Sequence, residues 1–243
     1  MSTAVRIEPE VVRVPSGRRD LEVASVFLGG VPRGGVALLT GAGGLQHMEL
    51  VDAMNRLAEH GYESVAAEVG PTPEDEGDEV VLGHLRTLVD RLEGRHWSLD
   101  QIGIVGYGYG GHVALLAARS MALGAVVTVN PVPAGTVRHR PAPAVRTPWL
   151  GMFGDRVGDL RPGETAAFGA AIAARSPVFT QVVTYPGVGA ELVHDGTDAL
   201  GHAAAYDSWQ RIVEWLNARV VPRPTPLARA WAERRASRAR LSL

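Results

Sequence analysis

An alternation along the chain limits the fold most. Runs of β-branched and apolar residues occupy 21–28 (LEVASVFL), 35–40 (GVALLT), 63–68 (ESVAAE) and 101–106 (QIGIVG). Three more follow at 124–130, 147–153 and 179–185. Each reads as a strand, and helical periodicity falls between them, at 46–60, 78–93, 109–120, about 164–174 and 202–218. In 46–60, Leu50, Val51, Met54, Leu57 and Ala58 share one face, and Gly61 supplies a stop. In 78–93 the apolar set is Val81, Leu82, Leu85, Leu88, Val89 and Leu92, with acidic residues at its start where the helix dipole favours them. Strands alternating with helices predict an α/β fold, a mostly parallel sheet with helices on both faces. Two strand-like runs precede the first helix, so the sheet is expected to open with an antiparallel hairpin. Ligands of such folds bind beyond the carboxyl ends of the strands. The loops after Thr40, Tyr107, Phe153 and Tyr185 should therefore converge on any site.

Composition narrows the chemistry. With 243 residues the chain suits one large domain, placed at 1–219 and followed by a proline-containing linker and an Arg-rich helix at 220–243. A formal charge of −2 gives no global attraction to nucleic acid or acidic membranes. There is no cysteine, which excludes disulfides, thiolate metal sites and a cysteine nucleophile. All 24 basic residues are arginine, so lysine Schiff-base chemistry is excluded too, and the bias fits a GC-rich bacterial genome. The start, MSTAVRIEPE, has no cationic stretch leading into an apolar core, and no run approaches about 18 apolar residues. A cytoplasmic protein without cofactor or metal is the expectation.

The stretch GYGYGG, Gly106 to Gly111, follows a strand-like run and precedes the helical HVALLAARS. A strand, a glycine-rich turn and a helix form the setting of a nucleophile elbow, G-x-S-x-G. Together with VALLTGAGG (36–44), LGMFGDRVGDLRP (150–162) and VVTYPGVGAELVHD (182–195), this segment resembles the dienelactone hydrolase family of the α/β-hydrolase fold. The four segments occur in the family's order, over about residues 20–219. The resemblance implies an α/β-hydrolase domain with an oxyanion loop near Gly41 and Ala42, an elbow, an acid-bearing loop and a histidine-bearing loop.

The departures fall on the reactive positions. The nucleophile position is Gly108, the histidine position Ala190 and the acid position Val157, with Asp155 and Asp159 flanking the last. Acyl transfer needs a nucleophile and a base in hydrogen-bond reach, the base oriented by a third group. Hydrolysis by the family's route is therefore expected to be lost. None of the ten serines lies at a strand end near the elbow. His112 reads as structural, His194 as a solvent-facing loop residue, Asp155 as a brace for its loop and Glu68 as an ion-paired residue at a strand end. Asp155, Asp159 and His194 are the fallback set if the chemistry has moved.

The oxyanion hole does not depend on side chains, because it uses the backbone N–H after the nucleophile position, here Tyr109, and one near Ala42. Gly41, Ala42, Gly108 and Tyr109 are thus the expected ligand-binding residues, for a small carboxylate or lactone. The alternative is a hydrolase or lyase of the same fold acting on an ester or lactone. At the C-terminus, PLARAWAERRASRARL (226–241) reads as a basic helix that either packs on the domain through Trp231 or, over 225–243, docks to a second subunit or protein partner. One short basic helix in a chain of net charge −2 argues weakly for nucleic acid.

Overall fold

The computed structural model describes residues 6–17, 19–41, 48–70, 77–131, 137, 141–157, 161, 163–189, 192, 199–224, 227, 228, 230, 231 and 233–235. In chain order the strands are β1 (Glu10–Ser16), β2 (Arg19–Val26), β3 (Gly34–Thr40), β4 (Tyr62–Glu68), β5 (Ile102–Tyr107), β6 (Ala125–Val129), β7 (Trp149–Gly154) and β8 (Thr180–Tyr185). The helices are α1 (Met48–Glu59), α2 (Asp78–Glu93), α3 (Tyr109–Ser120), α4 (Glu164–Ala173) and α5 (Ala199–Arg219). The strands lie in the order β1-β2-β4-β3-β5-β6-β7-β8. Only β2 runs against its neighbours, β1 and β4, and every other pair is parallel.

The opening hairpin exists, one strand earlier than the sequence suggests. It joins β1 to β2, whereas the runs at 21–28 and 35–40 are separated in the sheet by β4. Strand β1 escapes detection because it is an edge: Val11 is 55% exposed, and Pro15 sits where a central strand would lose a ladder hydrogen bond.

Alternation along the central strands feeds two cores. Ala37 and Leu39 of β3 join α2, α3 and α4 on one face, and Val36 and Leu38 join α1 and α5 on the other. Being covered on both sides, β3 and β5 read as continuous apolar runs rather than alternating ones.

One buried carboxylate ties the amino ends of the strands to the end of α2. Glu63 of β4 is 1% exposed and accepts hydrogen bonds from Arg95 Nη2 at 2.7 Å, Trp97 Nε1 at 2.9 Å and the Leu28 N–H at 3.1 Å. Burial alone would push its pKa up, but the Arg95, Trp97 and Leu28 donors outweigh that and hold it below the ordinary carboxylate value. Because the folded pKa is depressed, this stabilisation is present above the unfolded pKa and is lost as pH falls through the folded one. Glu63→Ala leaves those donors without their acceptor and is expected to cost about 3 kcal/mol or more. Urea denaturation at pH 7 and pH 4 checks both points, since the gap between wild type and variant should narrow in acid.

The chain leaving α5 is fastened to the same corner. Arg223 Nη2 donates to the carbonyls of Arg95 and His96, both at 3.1 Å, with its guanidinium 3.8 Å from the Trp97 ring centre. The described residues between 227 and 235 are helical. Trp231 is not what anchors them: it is 55% exposed, with Arg235 stacked over its ring at 4.9 Å. Among the described residues no helix is long and apolar enough to cross a membrane.

Candidate functional site

Strand β5 ends at Tyr107 and α3 begins at Tyr109, leaving a single residue, Gly108, to make the turn. Gly108 holds φ 55° and ψ −118°, a backbone that a side chain would strain. Its N–H donates to the Val129 carbonyl at 2.9 Å, and its own carbonyl accepts from Gly111 N at 3.0 Å and His112 N at 3.3 Å, which starts the helix. So sharp a turn presses α3 onto the sheet. A Cβ at Gly106 would collide with the Gly110 carbonyl, and one at Gly110 with the Leu39 carbonyl. These two close approaches account for the glycines two residues either side of the apex.

The loop after β3 reaches the same place. A Cβ on Gly41 would stand 3.5 Å from the Tyr109 Cβ and 3.6 Å from the Gly70 carbonyl oxygen, so three strand ends meet there. Ala42, the expected second backbone donor, lies outside the described residues. Just before Gly41, Thr40 accepts from Val69 N at 3.0 Å, while its hydroxyl is buried and finds no hydrogen-bond partner among the described residues. Thr40 carries no motif of its own in the sequence. A hydroxyl at the last position of a central strand was the available signal.

Asn130, also unforeseen, organises the other half. It follows β6 directly with φ 44°, a conformation asparagine tolerates better than most residues. Its Oδ1 accepts from Gly154 N at 2.7 Å and its Nδ2 donates to the Gly189 carbonyl at 3.1 Å. One amide thus holds the start of the acid-bearing segment against the residue preceding Ala190. Asp155 adds a second tie, accepting from Gly187 N at 2.7 Å, and Arg156 N donates to the Val188 carbonyl at 3.0 Å. Asp155 therefore braces its loop, as its position suggested, and half-buried Val157 follows it. Ala190, Asp159 and His194 lie outside the described residues.

His112 and Tyr107 are both half-buried. His112, in the first turn of α3, places Nε2 3.6 Å from Asp78 Oδ1 and its ring 5.8 Å from that of Tyr109. Burial lowers its pKa against the pull of Asp78, which favours the neutral ring. Burial likewise drives the Tyr107 hydroxyl far above the usual phenol value, and Arg56 opposes it only in part. Glu68 is half-buried at the end of β4. No group of histidine and carboxylate side chains among the described residues is placed to hold a metal ion.

A glycine-flanked elbow between a parallel strand and a helix, met by the loop after β3, with the loops after β7 and β8 tied to each other through Asn130 on the next strand, is an arrangement of the α/β-hydrolase fold. Residues 29–220 match the dienelactone hydrolase family. The chain belongs to that family. No curated protein matches it. Among solved structures, a protein from Klebsiella pneumoniae assigned as a dienelactone hydrolase superposes with a TM-score of 0.69 at 18% identity, covering 86% of this chain and 98% of that one. Est1E from Butyrivibrio proteoclasticus gives 0.62 at 16%, covering 85% and 99%. Thermogutta terrifontis esterase 2, phosphorylated by paraoxon, gives 0.67 at 14%, covering 87% and 94%. At such identities the likeness is one of fold. Within the dienelactone hydrolase frame this chain retains the glycines that allow the elbow and carries glycine at its apex as well.

Proposed function

We propose that this dienelactone hydrolase relative is non-hydrolytic and binds a small carbonyl or carboxylate compound at its elbow. The observation that carries the reading is Gly108 itself: the elbow backbone is built, and its apex bears a hydrogen where a nucleophile would stand. The family's acid and histidine positions fall on Val157 and Ala190, neither of which can act as a base or orient one. What remains is a helix start with the Tyr109 N–H at its head, a favourable place for an anion, and more room than a serine would leave. A relocated hydrolase or lyase built on Asp155 or Asp159 with His194 is the competing reading. Against it, the Asp155 carboxylate is already engaged by Gly187. Ser16 and His84 do pair at 2.8 Å elsewhere, but Arg19 Nε donates to His84 Nε2, which puts the ring proton on Nδ1. The imidazole then donates to Ser16 instead of deprotonating it.

Small carboxylates, lactones and phosphate are the probes for a thermal-shift comparison of wild type and Gly108→Leu. Carboxylates are expected to raise the wild-type melting temperature by a few degrees, roughly 1–2 kcal/mol of linkage. With non-aromatic carboxylates such as acetate the variant should show no ligand-dependent shift, because its side chain fills the space over the Tyr109 N–H. Its own baseline should be lower by about 1–3 kcal/mol, the strain of a side chain at this φ. Equal shifts in both proteins, or none in wild type, would refute binding at the elbow.

A further inference from the structure

Asp207, Arg211, Trp215 and Arg219 recur every fourth residue along α5 and so form one stripe. The upper part of the stripe is neutralised. Arg211 Nε donates to Asp207 Oδ2 at 2.6 Å, and the same oxygen accepts from the Tyr185 hydroxyl at 2.7 Å. The lower part is not neutralised: among the described residues no hydrogen bond or ion pair reaches the Arg219 side chain. Its guanidinium carbon stands 4.8 Å from the Phe179 ring centre and 5.1 Å from that of Trp215. The two rings are 5.7 Å apart and tilted by 30°.

This shelf borders a cavity of about 230 Å³ between α5 and the outer edge of the sheet. The alternation of β8 opens it. Val182 packs towards α4, against Gly169, so its neighbour Gln181 points the other way and lines the cavity beside Leu150 of β7. Two N–H groups in this corner, Arg219 Nε and Trp215 Nε1, are closed off from solvent and have no acceptor among the described residues. Trp215 is 7% exposed. Buried donors left without acceptors are costly and seldom tolerated. Those two N–H groups are shielded even from a water-sized occupant; what an anion entering the cavity can meet is the rest of the Arg219 guanidinium, which lines it and has no hydrogen-bond partner among the described residues. A guanidinium over two aromatic faces favours a flat organic anion. Glu214 also lines the cavity, and its carboxylate opposes such an anion, so affinity follows the balance between Glu214 and Arg219.

We propose that this cavity is a second ligand site, separate from the elbow, for a small planar carboxylate of the aromatic-acid class, held by Arg219 and seated on Phe179 and Trp215.

Benzoate is the probe, titrated into the full chain by calorimetry with tryptophan fluorescence alongside. Arg219→Gln is expected to weaken binding about tenfold or more, and Glu214→Gln to tighten it severalfold. General loss of structure would weaken both variants, so opposite signs report on the site. Uncharged benzamide should bind more weakly than benzoate. Gly108→Leu should leave this binding intact, which separates the site from the elbow. The proposal is overturned if benzoate does not bind, if all three proteins bind it equally, or if binding is lost in Gly108→Leu and kept in Arg219→Gln.

Discussion

Activated esters and dienelactone should be hydrolysed at no more than a trace rate, and Gly108→Ser alone should leave that rate almost unchanged. On the proposed reading a serine placed at the apex finds alanine at the position of the family's histidine, Ala190, and valine at that of its acid, Val157, so neither family position supplies an imidazole or a carboxylate. Members of a triad act as a unit, and removing one costs nearly as much as removing all. Backbone donors and binding alone can still leave roughly 10³–10⁴-fold acceleration over water. Slow turnover is therefore consistent with a missing nucleophile. Gly108→Ser combined with Ala190→His and Val157→Asp should exceed wild type and each single variant by about a hundredfold or more, the usual contribution of a positioned general base. Steady-state assays on p-nitrophenyl acetate and dienelactone decide between outcomes. Wild-type turnover on the order of 1–10³ s⁻¹ would show a working nucleophile elsewhere. Strong activity in Gly108→Ser alone would show that a base already stands within reach of the apex.

Gly110→Ala is expected to destabilise the fold by about 3 kcal/mol or more, near the upper end for overpacking. The added methyl would meet the Leu39 carbonyl, and backbone cannot step aside as a flexible side chain does. Either α3 must lift from β3 or the elbow must open, so melting should fall by roughly 6–12 °C. Gly83→Ala supplies the opposite sign within the same protein. Gly83 lies inside α2 with nothing near its Cβ position, so alanine should add about 0.5–1 kcal/mol through helix propensity alone. Thermal melts of the two variants side by side test whether steric contact, and not glycine content, governs the elbow.

Much of this architecture is legible in the sequence for local reasons. Helices 78–93 and 109–120 appear with the bounds expected, because acidic residues open the first and the apex glycine opens the second. The elbow is legible because its glycines answer to collisions that any member of the fold must avoid. Strand order is not local. Which strand β2 joins is settled by β4 arriving from across α1, and neither the 21–28 nor the 35–40 run carries a mark of it. Strand β1 hides because its outer residues face water and its pattern is diluted. At the site, the Cβ position of Gly41 comes within 3.5 Å of the Tyr109 Cβ, next to the Gly108 turn. Thr40 and Asn130 were overlooked because each looks ordinary in sequence and matters only through what surrounds it.

Asn130 carries a wider implication. In a hydrolase whose acid and base held each other by hydrogen bonds, deleting them would loosen the loops that carry them. Here the segments at 154 and 189 are fastened by an amide that takes no part in bond breaking. Scaffold and reagent are thus separate inheritances. Substitution at 108, 157 or 190 could abolish chemistry while leaving the mouth of the domain in its old shape, so a descendant could change occupation without first having to refold.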